Sequence, residues 1–238
     1  MRKGLVISAF SFIISISGFA QSKPEIFLDK GFYGLQVLVN NPIGSFRKEF
    51  KSDYVNTNDL GASVHYFFNP KFKSTTLSRV FLGGELGFTT KKQTEFSKFP
   101  TQGTFYMKHN QTWLNAVLRF RPTYTDKTFT PFFDAFAGPK FYTSRMLELY
   151  DQNQVDTIES YPTRSLSYGL TAGCGYKLEG RGKKARYLEF SVTYAQSNPL
   201  KLVNTNINGI TDQYTSFAAQ RAYQPQSLMF KLGFSNFM

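Results

Sequence analysis

The stretch that decides the fold runs from Leu166 to Leu178 and reads LSYGLTAGCGYKL. Every second residue in it is apolar, and the residues between are serine, glycine, threonine or lysine. Because successive side chains of a β-strand point to opposite faces, one face of this strand is apolar and the other is small or polar. At ~3.3 Å per residue and a tilt of roughly 45°, such a strand is long enough to cross the hydrocarbon layer of a membrane, which takes about 9–11 residues.

Seven further segments repeat this alternation. Their apolar faces run from Tyr33 to Val39, Leu60 to Phe68, Val80 to Phe88, Leu114 to Phe120, Phe133 to Phe141, Leu188 to Tyr194 and Leu228 to Phe234. Eight strands make an even number, as single-chain bacterial barrels have, and closure removes the strand edges that lipid cannot hydrogen-bond. The sequence therefore predicts an all-β fold, an eight-stranded antiparallel up-and-down transmembrane β-barrel. The competing interpretation is a soluble periplasmic barrel or sandwich that buries the apolar face.

The first twenty residues have the features of a secretory signal. Arg2 and Lys3 precede an apolar run from Leu5 to Ile16, and small residues lead up to Ala20. The run is shorter than the ~20 residues of a spanning helix, so we expect a signal peptide over residues 1–20, cleaved after Ala20. The chain has one cysteine, Cys174, which excludes an internal disulfide and a lipid-bearing cysteine at the cleavage point. Residues 21–238 are expected to form one barrel domain.

The lengths of the predicted connections alternate. Residues 69–78, 121–130 and 179–185 are short, whereas 41–57, 90–108, 144–163 and 197–225 are long. Outer-membrane barrels have short periplasmic turns and long outer loops, so both termini are expected on the periplasmic side. The long segments are rich in Asn, Thr, Tyr and Phe, and they could be adhesive, receptor-like or plain strand extensions.

This pattern resembles the small outer-membrane barrels typified by the OmpA transmembrane domain and OmpX. It also resembles the broader outer membrane β-barrel domain class that includes PorT-like proteins. The resemblance covers Gly31 to Phe237 and implies a location in the outer membrane. In that class the last strand usually ends in an aromatic residue that the insertion machinery reads; here Phe234 keeps the outward register and Phe237 breaks it.

Charged residues of both signs occupy positions opposite the apolar faces. This predicted lumen network consists of His65, Glu85, Arg119, Asp134, Lys140, Lys177, Glu189 and Lys231. It could be a polar pathway, but eight strands enclose only enough room for their own side chains, and buried charges need partners. We therefore expect an ion-pair plug, with Arg119, Asp134, Lys177 and Glu189 towards the periplasmic end and Glu85 and Lys231 nearer mid-height.

The formal net charge of +12 is unevenly placed. Much of the excess lies in the predicted short connections, where five residues would form a periplasmic basic collar: Lys71, Lys73, Arg181, Lys183 and Lys184. Such a collar could contact phospholipid headgroups or an acidic partner, or it could merely aid solubility and topology. Nucleic-acid binding is not expected, because the alternation assigns the aromatic residues to lipid.

Two histidines without ligand spacing predict no metal site and no cofactor. His109, near a predicted outer loop, could activate a serine as in barrels that modify lipid A, but no His-x-Ser or other catalytic motif accompanies it. No catalytic residue is therefore assigned. The sequence favours a non-enzymatic structural or interaction role, with outer-membrane lipid and an envelope or secretion protein as partners. A protein-export accessory, a small-solute channel and a lipid-modifying enzyme stay open as alternatives.

Overall fold

The structure, a computed structural model, describes residues 31–44, 59–70, 79–96, 104–122, 127–151, 154–179, 185–204 and 219–237. Ten β-strands lie in these ranges. They are β1 Gly31–Ile43, β2 Asp59–Phe68, β3 Val80–Phe96, β4 Thr104–Phe120, β5 Phe129–Asp151, β6 Gln154–Glu179, β7 Arg186–Ser197, β8 Leu200–Asn204, β9 Ala219–Tyr223 and β10 Gln226–Phe237. The predicted signal peptide lies outside the described residues.

Eight of the strands close into one barrel in the order β1-β10-β7-β6-β5-β4-β3-β2, and every neighbouring pair is antiparallel. The predicted eight-stranded antiparallel barrel is thus confirmed. Strands β8 and β9 form a separate two-stranded sheet. Within the ranges given above, no helix is long and apolar enough to cross a membrane.

The two ends of the barrel are named here by their residues. At the terminal rim, β1 begins at Gly31 and Phe32 pairs with Phe237 of β10. At the opposite rim, Ile43 of β1 pairs with Gln226, where β10 begins. All strands except β8 and β9 run between these rims, so a residue's position along its strand shows which rim it is nearer.

The outward face of the barrel is apolar. Leu60 and Leu170 are each 64% exposed and Phe234 is 57% exposed, in agreement with the predicted faces. We call this surface the apolar belt; its residues include Tyr33, Leu35, Val37, Val64, Leu86, Phe88, Leu114, Leu118, Phe120, Phe129, Phe141, Leu166, Tyr168, Tyr176, Phe190, Tyr194 and Leu232. An apolar surface of this extent far exceeds the patches that soluble monomers expose. It matches hydrocarbon, and therefore the barrel is built to span a membrane.

Two of the predicted long connections are largely extensions of the barrel strands, which is one of the alternatives that the sequence left open. Residues 90–108 consist largely of strand, because the β3–β4 ladder continues to Phe96 opposite Phe105. Residues 144–163 likewise continue the β5–β6 ladder to Asp151 opposite Gln154. Beyond a membrane both faces of a strand meet water, so the backbone ladder persists without the apolar alternation that reveals strands in the sequence. Within predicted loop 197–225, residues of β8 and β9 are also strand.

Glycines on the inward face leave room for aromatic rings. A Cβ atom at Gly87 would lie 2.3 Å from Cζ2 of Trp113, which is its cross-strand partner. A Cβ atom at Gly173 would lie 2.3 Å from Cζ of its partner Phe132. Large rings therefore lie across glycines of the neighbouring strand, which is how so narrow a barrel accommodates them.

Candidate functional site

The polar interior near the terminal rim is organised around Glu189 of β7, which has no exposed surface. Its carboxylate accepts hydrogen bonds from Nη1 of Arg119 at 3.1 and 3.2 Å, from Nη2 of Arg121 at 2.9 Å and from Oγ of Ser235 at 2.8 Å. Nε2 of His65 lies 3.9 Å from the same carboxylate. One buried side chain thus links residues of β7, β10, β2 and the end of β4.

Arg119 also pairs with Asp134, its cross-strand partner on β5. Nε donates to Oδ1 at 2.7 Å and Nη2 donates to Oδ2 at 2.9 Å. This paired geometry is the strongest form of an arginine–carboxylate contact. Arg119 therefore has two carboxylate partners, Asp134 and Glu189, in a part of the barrel that is almost closed to water. These three residues of the predicted lumen network are in direct contact.

An aromatic layer surrounds these arginines. It consists of Phe32, Phe67, Phe81, Phe132, Tyr187 and Phe237, each at most 4% exposed. The guanidinium carbon of Arg119 lies 3.8 Å from the ring centre of Phe132, and that of Arg121 lies 4.4 Å from the ring centre of Phe32. Cation–π contacts of this kind help to compensate the charges for the loss of water. The layer and the Glu189 contacts together close the barrel near the terminal rim.

Arg121 was missed as an interior residue, since its position next to a connection suggested a turn charge. It is 1% exposed, and its backbone N–H donates to the carbonyl of Arg79 at 2.8 Å. The signal was present in the register, because Arg121 follows Arg119 by two residues and therefore continues the inward face.

Glu85 and Lys231 form a second contact, farther from the terminal rim. Nζ of Lys231 lies 2.6 Å from Oε1 of Glu85, and Nε1 of Trp113 donates to the same oxygen at 3.3 Å. These strands, β3 and β10, are not neighbours, so this pair also crosses the interior. Trp113 was missing from the predicted network because an aromatic residue in an alternating strand is more often a packing residue.

The half of the interior towards the opposite rim is lined mainly by uncharged polar groups. Nδ2 of Asn40 and Nε2 of Gln111 both donate to Oδ2 of Asp59, at 3.1 and 3.2 Å. The hydroxyls of Tyr142 and Ser197 lie 3.2 Å apart. Nearer the middle of the barrel, the hydroxyls of Thr171 and Thr193 lie 2.8 Å apart. Strands that are not neighbours, such as β5 and β7, are again linked.

Lys140 differs from the other predicted lumen cations. It is 4% exposed, and its Nζ lies 5.2 Å from the ring centre of Tyr142 and 5.8 Å from that of Trp113. No carboxylate among the described residues pairs with it. A cation–π contact with an aromatic face can stabilise a buried cation by up to ~2 kcal/mol. Transfer of an unpaired ion from water into the protein interior costs several kcal/mol. The rings therefore compensate this charge only in part, and Nζ keeps some contact with solvent.

The remaining predicted site residues divide into two groups. Lys177 lies opposite Tyr187 near the terminal rim and is half-buried. The residues of the basic collar, Lys71, Lys73, Arg181, Lys183 and Lys184, lie outside the described residues, so the collar stays a prediction.

His109 does meet a serine, its cross-strand partner Ser144. Nδ1 of His109 lies 2.8 Å from Oγ of Ser144. A nucleophile must be reached by its substrate, and Ser144 is only 3% exposed. The geometry therefore suits a structural hydrogen bond better than a reactive pair. Among the described residues, no three His, Cys, Asp or Glu side chains are grouped so as to hold a metal ion.

Known proteins resemble the chain only in architecture. No protein-family model and no curated sequence matches it. Similar solved structures include Neisserial surface protein A, with 9% identity, a TM-score of 0.44 and coverage of 87% of this chain and 96% of that one. Ail, the attachment invasion locus protein of Yersinia pestis, has 12% identity, a TM-score of 0.46 and coverages of 88% and 99%.

A major outer membrane protein from Thermus thermophilus has 10% identity, a TM-score of 0.45 and coverages of 87% and 99%. Because these TM-scores are below 0.5, the fold assignment rests on the strand pairing of this chain itself. By that pairing, the chain has the architecture of a small membrane-spanning β-barrel of eight strands.

Proposed function

We propose that the chain is an integral outer-membrane protein with a non-enzymatic role, in which a closed barrel anchors β-hairpins that bind a partner outside the membrane. The observation that carries this proposal is the length of the β5–β6 ladder. It continues from Phe141 of the apolar belt to the pair Asp151–Gln154. Ten residues beyond Phe141 extend roughly 30 Å along the strand.

Among the side chains that the structure describes at the base of the projecting part, polar ones are exposed. Arg145 of β5 and its cross-strand partner Ser160 of β6 are exposed there, and Arg164, opposite Phe141 at the edge of the belt, is exposed as well. A rigid ladder on an immobile base presents side chains at defined positions, which favours recognition of a partner over a passive linker. In the proposed orientation, the opposite rim faces the outside of the cell and the terminal rim faces the periplasm. The predicted short connections lie at the terminal rim, and outer-membrane barrels have their short turns on the periplasmic side.

Closure of the interior argues against the small-solute channel. Arg119, Glu189 and Phe132 occupy the middle of the barrel near the terminal rim, and each is at most 3% exposed. We therefore expect no steady conductance from the purified full chain in planar lipid bilayers. Large, steady openings would contradict the closed barrel and favour the channel.

Site-specific photocrosslinking in intact cells tests the binding role. A photoreactive residue at Arg145, in the projecting ladder, is compared with one at Lys127, an exposed residue near the terminal rim. The proposal expects protein adducts from position 145. Adducts from position 127 alone would contradict it and favour the second candidate, an accessory of protein export that acts on the periplasmic side.

Orientation is tested separately by labelling. In a Cys174→Ser background, which removes the native cysteine, Arg145→Cys should react with a membrane-impermeant maleimide in intact cells. Lys127→Cys should react only after the outer membrane is permeabilised. The reverse pattern would invert the proposed orientation.

A further inference from the structure

Lys140 is an exception among the buried cations of the barrel. Arg119 has carboxylate partners in Asp134 and Glu189, and Lys231 has Glu85 at 2.6 Å. Lys140 is as deeply buried as Lys231, both being 4% exposed. Yet the described part of the chain provides it with aromatic faces only. Its ammonium group has three N–H donors, and Nζ is not among the described side-chain atoms that are both fully buried and without a hydrogen-bond partner. Solvent therefore reaches Nζ, and a negatively charged acceptor from outside the chain could take the place of water there.

Hydroxyl donors lie on the same inward face. Tyr142, whose ring lies beside Lys140, has its hydroxyl 3.2 Å from that of Ser197. Only one proton is needed for the bond between these two hydroxyls, so the second stays available to a ligand. An ammonium together with a hydroxyl donor suits an oxyanion, whose oxygens accept charge-assisted hydrogen bonds.

Solvent reaches this level of the barrel from the opposite rim. The cross-strand partners of Lys140 and Tyr142 on β6 are Ser165 and Thr163, and both are only half-buried. His109, two positions beyond Gln111 on the inward face of β4, is also half-buried. Towards the terminal rim, by contrast, the aromatic layer and the Glu189 contacts close the interior. A small solute could therefore approach Lys140 only from the side of the opposite rim, along this half-buried strip rather than past Ser144, which is buried.

We propose that Lys140, with the Tyr142–Ser197 hydroxyl pair, binds one oxyanion group, a phosphate or a carboxylate, in the half of the barrel towards the opposite rim. This site goes beyond the proposed binding role of the hairpins and does not depend on it. A site closed on one side binds a solute without conducting it, so the inference is compatible with a closed barrel.

Trp113 supplies a direct readout, because it is the only tryptophan of the chain and its ring faces Lys140. The refolded full chain in detergent micelles is titrated with inorganic phosphate and, separately, with acetate, at constant ionic strength kept with sodium chloride. We expect a saturable change in tryptophan emission with at least one of these probes. Lys108→Met, which removes an exposed lysine of β4, should leave the response unchanged.

Lys140→Met should weaken the apparent affinity by about tenfold or more, as loss of a charge-assisted hydrogen bond implies. Tyr142→Phe should weaken it several-fold while keeping the aromatic face. All variants are first shown to fold by their heat-dependent gel mobility. If Lys140→Met fails to fold, Tyr142→Phe decides the matter.

A parallel titration with micelles that contain a phosphorylated lipid distinguishes the source of the anion. A Lys140-dependent response to free phosphate or acetate supports a soluble ligand, and one confined to the lipid-containing micelles supports a lipid headgroup. The absence of a saturable response in every titration would overturn the site. So would an equal response of the parent chain and folded Lys140→Met, or of the parent chain and Tyr142→Phe if only that variant folds.

Discussion

Arg119 and Glu189 meet across the interior of the barrel, with Nη1 of the arginine 3.1 Å from Oε2 of the glutamate. Their strands, β4 and β7, are separated in the barrel by β5 and β6. Backbone pairing joins only neighbouring strands, so this contact adds a constraint that the ladder lacks. It links opposite walls of the barrel, and with Asp134 and Arg121 it makes the terminal half a packed core.

Removal of the central carboxylate should destabilise the barrel strongly. Glu189→Gln would leave Arg119 and Arg121 buried with one negative partner between them, Asp134. Breaking a buried ion pair from one side costs about 3–5 kcal/mol, and we expect a loss of that size in the free energy of unfolding, measured by urea titration in lipid vesicles. Ser191→Ala, a buried change two residues along β7, serves as control. A loss below ~1 kcal/mol for Glu189→Gln would show that the contact contributes little.

The Glu85–Lys231 pair should behave as a coupled unit. Lys231→Met leaves Glu85 buried without its cation, and we expect a loss of about 3–5 kcal/mol. The double variant Glu85→Gln/Lys231→Met should recover much of that loss, because no unpaired charge remains. Unfolding can be followed by the emission of Trp113, which donates to Glu85. Strictly additive single-variant effects would disprove the coupling.

Two consecutive glycines of β3 should respond differently to alanine. A Cβ atom at Gly83 would lie 2.1 Å from the carbonyl oxygen of Tyr66, whereas one at Gly84 would have its nearest neighbour, the carbonyl oxygen of Asn115, at 3.5 Å. Gly83→Ala should therefore lower the unfolding free energy by about 1–3 kcal/mol through overpacking. Gly84→Ala should be neutral or stabilising by up to ~1 kcal/mol. Equal effects in urea unfolding would contradict the close approach at Gly83.

A charge in the apolar belt should test the membrane-spanning surface. Leu170→Arg places a cation near the middle of the belt on β6, and we expect it to cost about 2–4 kcal/mol in lipid vesicles. Ser160→Arg, on the exposed part of the same strand beyond the belt, should cost ~1 kcal/mol or less. If the two variants unfolded alike in lipid, the assigned limits of the belt would be wrong.

Charge reversal of the basic collar tests whether these residues bind an anionic partner at the terminal rim. Replacing Lys71, Lys73, Arg181, Lys183 and Lys184 by glutamate should weaken binding to anionic liposomes or to a periplasmic partner. Each basic residue near an anionic surface contributes ~1 kcal/mol, within a screening length of ~8 Å. The difference should shrink at high salt. Heat-dependent gel mobility shows whether the variant still folds. If a folded variant bound as well as the parent chain, the collar would have no binding role and would serve only solubility.

Register relationships explain how far the interior could be predicted. Positions such as Glu85, Asp134 and Lys231 followed from the period of two, since the outward face reveals the inward one. Their partners did not follow, because Lys231 and Glu85 are separated by 146 positions in the chain and meet only after the barrel closes. Arg121 was missed because it lies next to a predicted connection, although its register continues the inward face, and Trp113 was missed because an aromatic residue in a strand usually indicates packing.

The sequence by itself determined that the chain forms eight barrel strands and which face of each strand meets lipid. Both follow from the local alternation of apolar and polar residues, because neighbouring side chains of a strand point to opposite sides of the barrel wall. Only the tertiary structure decided that residues 144–163 continue a ladder, because the clear apolar alternation of the barrel strands does not extend into this part of the sequence. It also decided that Glu189 binds two arginines, whereas Lys140 lies beside aromatic rings and has no carboxylate partner among the residues that the structure describes. Those outcomes depend on distances across a closed barrel, which no local pattern encodes.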